Sequence, residues 1–166
     1  MKLLRMAIIS LITVCISNGA DLNIKSSSEL FNKHLTEIKE IRSNIENSGG
    51  GRAGAELNKY FHWNTLPNAF SEIIVVDDAE GFKGMLEVLN RLNIDINSFG
   101  DENNIYNIAI EMIDNNSLNC MKLLVDTEFD LRKPVLDKNY NDTTLLRYAK
   151  SNGASKEMID LLEERK

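Results

Sequence analysis

Cysteine, proline, histidine and tryptophan are all scarce in this 166-residue chain, which has two Cys, two Pro, two His and one Trp. So few cysteines exclude a disulfide scaffold, and stability has to come from packing. The two histidines, His34 and His62, do not stand at metal-ligand spacing from cysteines or carboxylates, so no metal site is expected. Neither a Gly-x-Ser-x-Gly elbow, a Walker loop nor a dinucleotide fingerprint occurs, and the triple glycine at Gly49, Gly50 and Gly51 lacks the following Lys-Ser/Thr that would hold phosphate. The expectation is therefore a protein that is not an enzyme and carries no cofactor. Cations are also in deficit. With 19 Lys and Arg against 25 Asp and Glu the net charge is −6, which repels phosphate backbones and anionic bilayers and argues against nucleic acid or membrane as a partner.

What is present begins with a leader. Lys2 and Arg5 precede an apolar run from Met6 to Ile16, and the small, polar Ser17, Asn18, Gly19 and Ala20 follow it. That order is the charged, apolar and cleavage-site sequence of an export signal, with residues 1–20 removed at Ala20. The run is shorter than the about 20 residues a membrane span wants, so an uncleaved anchor is the lesser alternative. Cys15 follows Ile12, Thr13 and Val14 rather than a lipobox, which argues against lipidation. Cutting removes two of the 19 cations and moves the net charge from −6 to −8. It also leaves Cys120 as the single thiol, on the face of a helix with Leu123 and Leu124 and so expected in the core.

Residues 21–54 read as one helix and a connection. Ser26 and Glu29 have the spacing of a capping box, and Leu30, Phe31, Leu35, Ile38, Ile41 and Ile45 recur at three and four to form one apolar stripe. The glycines after Ser48 end that helix, and residues 48–54 are expected to be a flexible link. Downstream, over residues 55–166, the chain repeats itself. Ala69, Ala109 and Ala149 lie 40 residues apart, each in a short helical segment that precedes a polar break and a second, Leu-rich helix. A period of this size marks a stacked array of helix pairs. Tyr60, Phe61 and Trp63 stand at its entrance, where they are expected mainly to pack the junction. Asp77 with Asp78, and Asp101 with Glu102, fall where turns or helix caps are expected. Asn115 and Asn141 each open a glycosylation sequon.

The last repeat, Thr144, Leu145, Leu146, Arg147, Tyr148, Ala149, then Gly153 and Met158 to Leu162, resembles the ankyrin unit with its Thr-Pro-Leu-His-x-Ala signature. Leu92 to Asn97 is similar to the family's Ala-Gly-Ala-Asp-Val-Asn ending, and Thr65 to Ala69 stands at the front of the first repeat. The middle repeat, Asn104 to Ala109 and on to Asp130, is more divergent, and no repeat keeps the whole signature. The resemblance covers about residues 63 to 164. It implies an all-α fold, a short ankyrin-repeat solenoid of about three helix-turn-helix repeats capped by the N-terminal helix.

The same resemblance implies a binding module whose partner docks on the inner helices and on the turns around residues 97–103 and 132–141. Phe99 and Tyr140 are then apolar anchors, Asp101 and Glu102 steer a basic protein, and Lys138, Glu111 and Arg147 complete the partner site. Signal and fold together point to a periplasmic or secreted protein, an inhibitor or immunity-type protein that binds a toxin or exported enzyme. The alternatives are a secreted host-directed factor of a symbiont or pathogen and, from another class, a small exported hydrolase. The sequence leaves the oligomeric state open.

Overall fold

The computed structural model describes residues 21–97, 107–137, 139 and 141–165. The expected leader, residues 1–20, and the site candidates Phe99, Asp101, Glu102, Lys138 and Tyr140 lie outside them. Within the described residues the chain is mostly helical, with a single two-stranded antiparallel pairing, as the all-α reading expects. No described helix is long and apolar enough to cross a membrane.

Helix α1, Glu29–Asn47, buries Phe31, His34, Leu35, Ile38 and Ile45, the stripe read from the spacing of three and four. Its cap differs from the expected one. Ser28 holds that place, its Oγ accepting from the Phe31 N–H at 2.9 Å, while Ser26 Oγ accepts from the Ser28 N–H at 3.1 Å. The reason is tertiary: Ser28 Oγ also donates to Asp78, the cap of a later helix, so the Ser26 register is not the one chosen.

The glycine link is shorter than expected. Gly49 and Gly50 take left-handed φ values of 65° and 77°, and helix α2, Arg52–Tyr60, has begun by Arg52. It continues through a π-helical turn, Phe61–Thr65, into α3, Leu66–Val75. The sequence Thr65 to Ala69, read as the front of a repeat, is thus already inside a helix. Pro67 explains the π turn, because it has no N–H to give and its ring needs room, and a widened turn just before it supplies that room. The Leu66 N–H bonds five residues back to Phe61 O.

Helix α4, Ala79–Arg91, follows, then α5, Ile108–Asn115, and α6, Leu118–Leu124. A hairpin of β1, Val135–Leu136, and β2, Asp142–Thr143, precedes α7, Leu145–Ser151, and α8, Lys156–Glu164. The packing is between neighbours: α3 meets α5 and α5 meets α7, while α4 meets α6 and α6 meets α8. Helix α1 lies across α2, α3 and α4. All the buried apolar side chains join one core.

The three helix pairs turn in the same way. Asp77, Asn116 and Gly153 close α3, α5 and α7 at φ 51°, 53° and 71°. In each case the next N–H reaches back five residues: Asp78 to Ile73, Ser117 to Met112 and Ala154 to Ala149, at 3.1, 2.8 and 3.0 Å. This is the left-handed helix ending that satisfies orphan carbonyls, and Asp, Asn and Gly are the residues that tolerate it. Asp77 does more. Its carboxylate accepts the backbone N–H of Asn119 at 3.2 Å and of Cys120 at 2.9 Å, capping α6 in the next pair. Ser117 returns the bond, its buried Oγ donating to Ile74 O at 2.5 Å.

Two substitutions test this packing. A Cβ on Gly84 of α4 would stand 2.7 to 2.8 Å from three ring atoms of Phe31, which is fully buried. Gly84→Ala should therefore lower the unfolding free energy by about 1 to 3 kcal/mol, read from urea titration, despite the better helix propensity of Ala. Asp77→Gly keeps the left-handed turn without strain but strands two N–H donors of α6. A loss of about 1 to 2 kcal/mol is expected, and an unchanged midpoint would show that the cap is unimportant.

Candidate functional site

Of the residues expected to form a partner site, Glu111 on α5 and Arg147 on α7 are described, and the surroundings of these two helices and of the hairpin follow. Asn107 starts α5, its Oδ1 accepting from the N–H groups of Ala109 and Ile110 at 2.9 and 3.2 Å. One turn on, Glu111 is half-buried and faces α3, where Ser71 Oγ donates to its Oε1. Its Oε2 is buried without a partner. The helix-to-helix approach turns the carboxyl of Glu111, one of the expected partner contacts, into the junction of the first two pairs.

Asp114, at the far end of α5, accepts from the Tyr148 hydroxyl at 3.0 and 3.1 Å on its two oxygens. Tyr148 lies in α7, so this bond ties the second and third pairs. Burial first, and the bonded Asp114 second, push the Tyr148 hydroxyl up to about 12. Arg147, next to it, is exposed. Thr144 positions it by capping α7 through the Arg147 N–H at 3.3 Å.

The hairpin pairs Val135 with Thr143 and Leu136 with Asp142. Its turn is organised by Asp137, whose carboxylate accepts the backbone N–H groups of Asn141 at 2.9 Å and Asn139 at 2.8 Å. The Asn141 N–H, above all, holds the Asp137 carboxyl below the ordinary carboxylate range. On the neighbouring pair, Asn97 works across the same edge. Its Nδ2 donates to Glu128 O at 2.8 Å, and its Oδ1 accepts from the Asp130 N–H at 2.7 Å. Lys133 Nζ reaches Asn97 O at 3.1 Å.

Chemically reactive groups are not gathered here. Cys120 is fully buried, and burial followed by the Asp77 carboxylate raises its thiol far above the usual range, which keeps it protonated and unreactive. His62 in the π turn is half-buried, and that burial, helped by Arg42, lowers its basicity. His34 is buried, with Nε2 3.2 Å from Glu72 Oε2. Among the described residues no group of three His, Cys, Asp or Glu could hold a metal ion. Comparison with protein-family models, with curated proteins and with solved structures gives no match in any of the three.

Glu111 and Arg147 thus stand on the neighbouring helices α5 and α7, with Glu111 turned toward α3 and Arg147 exposed. The structure adds residues that sequence reasoning passed over: Ser71, Asp77, Asn97, Asp114 and Tyr148. Their signal was faint, since each acts on a residue about 31 to 43 positions away. For Tyr148 the sign of the linkage is fixed. A hydroxyl raised in the folded state contributes stability below the ordinary value of 10, and that contribution is lost as pH rises toward about 12. Stability should fall across that window, and Tyr148→Phe should flatten the fall. Ultraviolet difference titration should lose one late-titrating tyrosine in the variant.

Proposed function

We propose that this chain is an exported ankyrin-type repeat protein that works by holding another protein. In that reading it is an inhibitor or immunity-type protein directed at a toxin or exported enzyme, acting in the periplasm or outside the cell. The observation that carries the ankyrin part is the recurrence of one turn three times, at Asp77, Asn116 and Gly153. Asn97 supports it further. It bridges to Asp130, 33 residues on, which is one ankyrin period. Asn93 also supports it, with φ 54° where the family ending Leu92 to Asn97 resembles has glycine.

Binding follows from what the face offers. Asp137 and Asp142 on the hairpin, Asp114 on α5 and Arg147 on α7 present charges on rigid elements. Acidic groups in such numbers speed the encounter with a basic partner and select against an acidic one. Export rests on the order of residues 1–20, and the packing of Leu22 just after the expected cut suits a mature chain that starts at Asp21.

Affinity capture from periplasm or culture fluid tests the reading, with the first residue of the recovered protein fixed by mass spectrometry. Asp21 is expected there. Arg147→Glu should retain at least tenfold less of the captured protein at an unchanged melting temperature. Equal retention by both forms would remove the inner-helix face from the account, and recovery of an unprocessed cytoplasmic chain would remove export.

A further inference from the structure

The long helix formed by α2, the π turn and α3 has one face that nothing among the described residues covers. Tyr60, Asn64, Asn68, Glu72, Val75 and Val76 are all exposed, at steps of three and four residues. The π turn slows the angular advance of the helix, so steps of four through Tyr60, Asn64 and Asn68 hold to one side. Tyr60, Val75 and Val76 are 52%, 55% and 63% exposed and are the large exposed hydrophobics of the described residues. They stand at the two ends of this single face.

Between them the polar groups keep bonding capacity to spare. Neither the Asn64 nor the Asn68 amide makes a side-chain hydrogen bond among the described residues. Glu72 is half used: Lys33 at 3.4 Å and His34 at 3.2 Å both take Oε2, and Oε1 has no donor among the described residues. The other inner helices differ, because Glu111 and Asp114 are bonded to Ser71 and Tyr148.

The order of side chains on this face reads as its own complement when reversed. The geometry points to a second copy of this chain as the occupant, packed antiparallel with a two-fold axis through Asn68. Asn68 then meets Asn68 of the other copy, the Asn64 amide donates to Glu72 Oε1 across the axis at both ends, and Tyr60 covers Val75 and Val76. A two-fold contact requires this self-complementarity, since each residue pair occurs twice. No like charges face one another along the paired positions. The face is about 24 Å long at the rise of a helix, a short contact for a protein interface, so the dimer should be reversible. This association goes beyond partner binding, which is assigned to the face that carries Arg147.

Sedimentation velocity of the processed protein from about 1 to 100 µM should show monomer giving way to dimer, a tractable range for an interface of this size. Asn68→Asp and Asn68→Lys each place like charges on the axis and should weaken dimerisation at least tenfold, while an equimolar mixture of the two should re-associate. Asn68 is exposed and unbonded, so both variants should melt with the wild type. Asn68→Cys provides a second measure: it should form a disulfide-linked dimer on mild oxidation much faster than Asn90→Cys, on the exposed side of α4. Wild-type protein that remains monomeric at 100 µM overturns the assignment. So does dimerisation unaffected by Asn68→Asp, a mixture of the charged variants that stays monomeric, or equal crosslinking at the two positions. Partner capture measured through Arg147→Glu reports separately, so a failed dimer leaves that reading intact.

Discussion

The junction between the first two helix pairs hangs on a reciprocal exchange of hydrogen bonds. Asp77, in the turn of the first pair, caps α6 of the second, and Ser117, in the turn of the second, bonds the Ile74 carbonyl of the first. Ser117 is almost wholly buried, and a hydroxyl in such a place without a partner would oppose folding. Both bonds form only when the two turns are level. They therefore set the register of α3 against α5 and of α4 against α6, and the apolar side chains between the pairs fill in around that register. Tyr148 and Asp114 repeat the device between the second and third pairs with different residues.

The first pair departs from the other one preceded by a described turn. The hairpin leads into α7, whereas α3 is the continuation of α2 through a π turn. Pro67 sits in the first turn of α3, well inside that continuous helix, and the chain accommodates it by widening rather than by stopping. One polar group is stranded as a result. Thr65 Oγ1 is buried and, among the described residues, unpartnered, while Thr144, just before α7, caps its helix. The gain is a helix of unbroken length with one bare face, and α1 can lie along its other side.

Electrostatics on the inner face follows from placement rather than from net charge alone. Asp137 is held ionised because two backbone N–H groups of its own turn point at it. Glu111 is drawn into the space between α3 and α5, and Asp114 is shared with a tyrosine hydroxyl. Three carboxyl groups that look alike in the sequence thus have three environments. One orders the hairpin, one links the first pair to the second, and one links the second to the third.

Much of the local structure was legible in the residues themselves. The stripe of Phe31, Leu35, Ile38 and Ile45, the buried alanines 69, 109 and 149, and the core position of Cys120 all follow from the 3.6-residue period, which any segment carries within itself. Caps were legible only where the deciding bond is local: Asp78 bonds Gly81, three residues on, but Ser28 displaced Ser26 because of Asp78, 50 residues away. By itself the sequence determined the apolar stripe of α1, the helical character of the paired segments and the negative overall charge, but not that α2 and the π turn carry helix across residues 52–65. Tertiary structure alone decided that Asp77 would cap a helix 42 and 43 residues away, that Glu111 would turn inward, and that Tyr60, Asn64, Asn68 and Glu72 would be left facing water. The reason is physical: helix periodicity is written into neighbours along the chain, whereas the choice of a hydrogen-bond partner depends on which donors and acceptors packing has already brought within about 3 Å.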